Sequence, residues 1–471
     1  MLLYAAFLLS PTLIQGPLLL FTGLMIVVIT FSSVELALYL LILSTLLSPE
    51  ITFGGASKAE VAAGLVNTNE SRGLTVRLDD IMLTLICFTW MFRMAIQNQL
   101  GIIKYTPINQ AAWYYWLACA FTTLIAFFAG KVGLYGLFFV VKYLEYFVLF
   151  YIVVNHLHDE AIIKRFLIMM IFTCLIASLI GILQIPGGER VSAPFEGSEG
   201  EPNTFGGYLM FMFSIVLGIF LHTKDTKQRL LLLTCLLTIL VPFVFTESRS
   251  SYLSFIVSMV FFLFFSQRKT LLIVCFLGGI ALAPIVLPQN VINRVMFTFN
   301  QAEQEGQLAV GNLKVDTSTT ERLRAWEDVM TKNFPQNPIF GVGITGGKFL
   351  DAQYPRVLLE TGIVGMVLFV WFLRRIWVLL RKSSASLKDP VLRGVALGAL
   401  CGYAGLLVHA IGANTFIIVR IMEPFMIILG LVLAMRLLEQ EKSNDEKKQA
   451  ERQAKIDAKH ELALQENALK A

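Results

Sequence analysis

The chain has 471 residues, 56% of them apolar and 15% charged, with a formal charge of +5 and a mean hydropathy of +0.69. Soluble domains lie nearer roughly 45–50% apolar and 25% charged, so the composition excludes a disordered or fibrous chain and argues against a soluble enzyme; much of the surface must face lipid. The small positive charge does not point to nucleic acid and suits the lysine and arginine excess that membrane proteins carry on their cytoplasmic side.

A spanning helix needs about 20 mostly apolar residues. In chain order, such runs fall at 12–31, 34–49, 79–97, 110–129, 133–155, 161–184, 204–222, 228–246, 249–267, 270–287, 356–380, 392–412 and 417–437. Residues 2–10 form a further short span or half of a tight hairpin, so twelve to fourteen spans are expected. Met1-Leu2-Leu3 leads straight into apolar sequence without a basic stretch, which argues against a cleavable signal peptide. The cysteines (Cys87, Cys119, Cys174, Cys235, Cys275 and Cys401) each stand alone in an apolar run. That pattern suits small buried hydrophobes, not disulfides or zinc ligands.

Lysine and arginine in short loops set the orientation. Arg374, Arg375, Arg381, Lys382, Lys388 and Arg393 crowd one connection, Lys224, Lys227 and Arg229 a second, and Arg268 and Lys269 a third. If the spans alternate, all three share the cytoplasmic face. Segments 50–78, 187–203 and 288–355 then lie outside. The expected organisation is an N-terminal bundle at 1–287, a large extracytoplasmic loop at 288–355, C-terminal spans at 356–438 and a charged cytoplasmic tail at 439–471, read as a solvated helix.

Chemistry-bearing residues gather at the extracytoplasmic ends. Arg190 stands in a polar, glycine-rich segment, and Pro202 and Asn203 suit a turn opening the next helix. Arg190 is either a snorkelling anchor or an anion ligand. Thr246-Glu-Ser-Arg249-Ser-Ser251 joins two spans with almost no loop, so Arg249 sits at a helix start among hydroxyls. There it either snorkels or holds a phosphate, aided by free helix N–H groups. Ser318-Thr-Thr-Glu321 fits a capping box, and Leu323, Trp326, Met330 and Phe334 then mark one apolar face of an interfacial helix reaching about Asn333. Arg322 and Arg324 face either solvent or a lipid head group. Phe340-Gly-Val-Gly-Ile-Thr-Gly-Gly-Lys348 lacks a preceding strand and a full P-loop spacing, and reads as a turn back to the membrane. Asp351 is a helix cap or a base. Arg356 and Glu360, four apart, form an intrahelical pair or join Asp351 as a carboxylate base with cationic anion ligands. His409, Asn414, Arg420 and Glu423 surround the last outer turn; His409 reads as packed within an apolar helix, and Arg420 and Glu423 as an i, i+3 pair. Metal-ligand spacing is absent.

Four pieces then carry a resemblance: Arg190 with Glu201-Pro-Asn-Thr-Phe-Gly-Gly-Tyr-Leu209; Thr246-x-Ser-Arg249; Arg322-Leu-x-x-Trp326 followed by Pro338-Ile-Phe-Gly-Val-Gly343; and Asp351-x-x-Tyr354 through Glu360-x-Gly362-x-x-Gly365. In this order, across about 190–365, the chain resembles the O-antigen ligase and O-antigen polymerase (Wzy-type) superfamily of bacterial membrane glycosyltransferases. The large outer loop before the last three spans agrees. The resemblance implies an all-α polytopic, type C glycosyltransferase-like fold in the inner membrane. It implies an inverting activity without metal or other cofactor, acting on undecaprenyl-diphosphate-linked oligosaccharide, with membrane lipid and a chain-length regulator protein as partners. Arg190 and Arg249 would hold the diphosphate and Arg322 would stand near the head group. The reading of the residues adds Arg356 as a further diphosphate-binding candidate and Asp351 or Glu360 to orient or deprotonate the acceptor. Asn203, Tyr354, His409, Arg420 and Glu423 are secondary candidates. The ligase branch carries a histidine where this chain has Asp351, so the expectation is a polysaccharide polymerase, with a ligase as the alternative. A lipid-linked glycan flippase is a third reading. The lack of an internal repeat and the gathering of charge at one membrane face weigh against it.

Overall fold

The computed structural model describes residues 24–48 (except 26 and 30), 50–53, 74–96, 105–195, 200–286, 289, 291–293, 296, 309–310, 313–314, 317–348 and 350–470. The architecture is an all-α polytopic membrane protein. Its helices are α1 (Val34–Leu47), α2 (Leu78–Ile96), α3 (Asn109–Phe128), α4 (Leu134–His156), α5 (Glu160–Gln184), α6 (Pro202–His222), α7 (Thr226–Phe245), α8 (Arg249–Phe265), α9 (Lys269–Val286), α10 (Thr317–Asp328), α11 (Gln353–Ser386), α12 (Pro390–Gly412) and α13 (Val419–Lys470). Two small antiparallel hairpins interrupt them, β1 (Glu50–Phe53) with β2 (Leu74–Arg77) and β3 (Ala309–Val310) with β4 (Leu313–Lys314). Among the described residues, eight helices are long and apolar enough to cross a membrane. α1, α8 and part of α9 are apolar but shorter. The expected span at 12–31 and the segment at 2–10 lie almost wholly outside the described residues.

Local sequence explains where the helices begin. Ser33, Asp159, Asp225, Ser248 and Asp389 each accept a backbone N–H from the first turn of the helix they precede. Pro202 and Pro390 occupy first-turn positions, where a missing N–H costs nothing. The charged tail continues α13 as one helix to Lys470.

α6, α12 and α13 form the inner layer, and most of their spanning residues are buried; α7 and α9 expose leucine, valine and isoleucine along the outside. Lipid tails are as apolar as leucine, so these helices are held by close packing. α12 supplies it with Gly394, Gly398 and Gly402 in one row. A Cβ on Gly398 would sit 2.5 Å from the Ser214 carbonyl oxygen, and one on Gly394 2.6 Å from that of Gly218. Only glycine lets the two backbones approach this closely.

The bundle has two chemically distinct ends. At one, Lys164 pairs with Glu160 and Asp389, Lys442 pairs with Glu160, and His222 faces Arg393 and Arg268. The three lysine- and arginine-rich connections therefore meet on one face. At the other end, α11 is broken. Gly362 has φ 64° and ψ −164°, a conformation open essentially to glycine alone. The glycine-rich segment fills the gap: Val342 and Gly343 donate to the carbonyls of Leu359 and Glu360, and Ile363 and Val364 donate to those of Pro338 and Ile339. Irregular backbone at membrane depth is satisfied here by protein, as it must be. The turn read from 340–348 thus packs against a helix break, where an uninterrupted span was expected.

α10 begins at Thr317 and passes into a π-helical turn over Val329–Asn333. The side chains of Ser318 and Glu321 lie outside the described residues, so the capping box is not visible. Leu323 and Met330, expected on one face, point outward; Val329 packs instead against Leu350 and Leu359.

Candidate active site at the broken-helix end

Arg356 and Glu360 lie within the two turns of α11 that precede the break at Gly362. Glu360 is almost fully buried, and its Oε1 accepts from Arg356 Nε at 3.0 Å and from the Thr345 backbone N–H at 3.1 Å. The carboxylate thereby ties the glycine-rich turn to the helix. Arg356 and Glu360 line a cavity of about 200 Å³ together with Asp351, Lys348, Glu201 and Asn414, with Tyr135 and Phe139 of α4 at its wall. Asn414 donates to the Leu350 carbonyl at 2.7 Å and the Phe416 N–H donates to Gln353 at 3.0 Å, so the α12–α13 connection closes one side.

Asp351 does not cap α11. The capping position is Ala352, without a side-chain bond. Asp351 Oδ2 instead faces Arg322 Nη2 at 3.3 Å, and its side chain is 47% exposed. Arg322 thus connects two regions. A Cβ on Gly412 would lie 2.5 Å from Ser250 Oγ and 3.9 Å from Arg322 Nη1, which puts the guanidinium beside the first turn of α8. Arg249 is the first residue of that helix.

Below this turn runs a line of hydroxyls. Thr415 Oγ1 lies 2.8 Å from His409 Nδ1, and His409 Nε2 lies 3.3 Å from Ser251 Oγ. Ser251 donates to Ser248 Oγ at 2.8 Å, and Ser248 donates to Asn203 Oδ1 at 2.7 Å. Because the Ser251 hydrogen is committed to Ser248, Nε2 donates to Ser251 and Nδ1 accepts from Thr415, a tautomer assigned from the network. His409 is completely buried and packs against Gly207, where a Cβ would come within 2.9 Å of the ring. It is a satisfied core histidine. Arg190 spends Nε and Nη2 on the carbonyls of Thr246 and Glu247, at 3.1 and 3.2 Å, and so pins the α7–α8 hairpin. Tyr354 donates to the Leu407 carbonyl at 2.7 Å.

One expected pair does not form. Arg420, in the first turn of α13, reaches sideways to the Pro194 carbonyl at 2.9 Å. Glu423 turns away toward a buried charged group on α2 and α4. There Arg77 pairs with Asp79 at 2.9 Å, Lys142 pairs with Asp80 at 3.0 Å, and Glu145 stands beside Asp80. Arg420 and Glu423 therefore leave the candidate site, the first for the 191–195 loop and the second for the core. The sequence reading missed this cluster, although Lys142 and Glu145 inside an apolar run were the signal. It also missed Lys348 and Glu201 as cavity residues. Both stood in quoted motifs, but only the tertiary structure shows that they share a wall with Glu360. Among the described residues, no three His, Cys, Asp or Glu side chains are grouped as a metal site.

No curated protein matches the chain. Residues 234–370, from mid-α7 through the glycine-rich turn and the broken half of α11, match the family model described as O-antigen ligase. Over this segment, less than a third of the chain, the protein is therefore similar to the O-antigen ligase family.

Proposed function

We propose that the protein is a polysaccharide polymerase. The donor is a growing glycan on undecaprenyl diphosphate, and the acceptor is a sugar hydroxyl of a second lipid-linked repeat unit. The observation that carries this reading is the cavity at the helix break, where Asp351 and Glu360 meet Arg356 and Lys348 beside Arg322. The acceptor oxygen forms a bond to the anomeric carbon while the bond from that carbon to the diphosphate oxygen breaks. The hydroxyl proton passes to a carboxylate, and the electron pair leaves with the diphosphate. Asp351 is the better base of the two. It is half exposed with one cationic neighbour, whereas Glu360 is buried and receives two donors on one oxygen. Glu360 then positions Arg356. Arg249, Arg322, Arg356 and Lys348 stabilise the leaving charge as preorganised cations. Arg190 acts at one remove, by holding the hairpin that presents Arg249.

Substitution of Arg249 by alanine should abolish long polymer while the protein remains in the membrane at normal abundance. Full polymer length in that strain sinks the role. A ligase is the second reading, favoured by the description of the matching family model. Sizing lipid-linked and surface glycans in a deletion strain separates the two. Single repeat units without long chains mean a polymerase. Long chains accumulating on the lipid carrier mean a ligase.

A further inference from the structure

A second, smaller cavity lies at the opposite end of α11. It measures about 110 Å³ and is lined by Pro107, Arg375, Val378, Leu379, Lys382 and Arg436. Three helices build it: the entry to α3, the last turns of α11 and the membrane exit of α13. Arg375 lies about 18 Å along α11 beyond the break at Gly362, so this cavity belongs to the lysine- and arginine-rich face, away from the candidate active site. Three cations line it and no carboxylate does. Arg375 is fixed by donating from Nε to the Pro107 carbonyl at 2.7 Å. Glu439, one turn beyond Arg436 on α13, is occupied by the backbone N–H groups of Lys388 and Asp389. Among the described residues, neither Lys382 nor Arg436 has an acidic side chain within ion-pair distance.

Three cations with no acidic partner among the described residues, over an apolar floor of Val378, Leu379 and Pro107, call for a ligand with both an anion and a hydrocarbon. We propose that this cleft binds the head-group phosphate of an anionic phospholipid from the leaflet on that face, its acyl chain lying along α11. The apolar floor favours a lipid over a soluble phosphate, because a free phosphate has no hydrocarbon to cover it. Basic clefts between helices on the cytoplasmic side are a physical match for acidic head groups. The site is independent of the reaction proposed above.

The test uses the purified full-length protein in mixed micelles of phosphatidylcholine with or without phosphatidylglycerol, read by native mass spectrometry and by thermal unfolding. Wild type should retain phosphatidylglycerol in preference to phosphatidylcholine and unfold at a higher temperature with it. The Lys382→Gln/Arg436→Gln variant should bind phosphatidylglycerol about thirtyfold more weakly. Arg374→Gln/Arg381→Gln, which removes two exposed cations of the same face, should bind it as wild type does. Equal loss in both variants overturns the proposal, because attraction is then diffuse. Equal retention of the two lipids by wild type overturns it without any variant. Protection by inorganic phosphate equal to that by phosphatidylglycerol also overturns it, by assigning the cleft to a soluble anion.

Discussion

Asp351 and Glu360 share one cavity, yet their surroundings separate their roles. Asp351→Asn keeps size and shape but removes the proton acceptor, so polymer formation should fall by roughly 10²–10⁴-fold, the usual contribution of a general base. Membrane abundance should not change, and Asp351→Glu should keep more activity than Asp351→Asn. Glu360→Ala strands a largely buried Arg356 and frees the Thr345 N–H. Breaking such a pair costs about 3–5 kcal/mol, so this variant should show a clearly lowered unfolding temperature in detergent as well as lost activity. A normal melting curve for Glu360→Ala would contradict the positioning role. The i, i+4 spacing made the Arg356–Glu360 pair legible in the sequence. The spacing of Arg420 and Glu423 was equally suggestive and misled, because Arg420 reaches the Pro194 carbonyl on a distant segment while Glu423 is packed beside Asp79. A local pair forms only when no better one is brought alongside by the fold.

At the scale of elements, the break in α11 does most to shape the site. Gly362→Ala forces a side chain into a conformation that costs about 1–3 kcal/mol and into the Ile339 carbonyl. A drop in unfolding temperature is expected, whereas Gly278→Ala, where a Cβ meets nothing within 4 Å, should be neutral or slightly stabilising. The glycine row of α12 makes a matching prediction. Gly398→Leu must push α6 off α12, and with it Asn203 and Gly207, which frame the hydroxyl network. Loss of polymer with reduced membrane yield should follow; wild-type yield would show that the helices do not depend on this approach. The run at 356–380 was readable as a span from its apolarity. Its break was not, because glycine inside an apolar run signals a kink, a close contact or nothing, depending on what packs against it.

At the scale of the molecule, charge is sorted by depth and by end. The candidate active site occupies one end and the basic cleft the other, and the group of Arg77, Asp79, Asp80, Lys142, Glu145 and Glu423 lies between α2, α4 and α13. Four carboxyl groups there face two cations. Glu423→Gln keeps the shape and removes one of the excess acids, so stability should stay within about 1 kcal/mol of wild type. Lys142→Met deprives Asp80 of its ion pair and should cost about 3–5 kcal/mol, read as a loss of folded protein in thermal scans. Equal effects from the two substitutions would contradict the charge imbalance.

Apolar run length and lysine and arginine placement by themselves determined that the chain is polytopic, where most of the described apolar helices begin, and which connections share a face, because lipid imposes those constraints on every segment separately. The resemblance to the O-antigen ligase and polymerase superfamily was also readable, through motifs kept in order, and a family-model match over residues 234–370 supports it. Only the tertiary structure decided that Arg190 holds a hairpin, that His409 is spent on a hydroxyl chain, that Asp351 meets Arg322, and that Lys348 and Glu201 share the cavity. These facts depend on which helix ends are brought together, and a buried polar group takes whichever partner the packing delivers within hydrogen-bond reach.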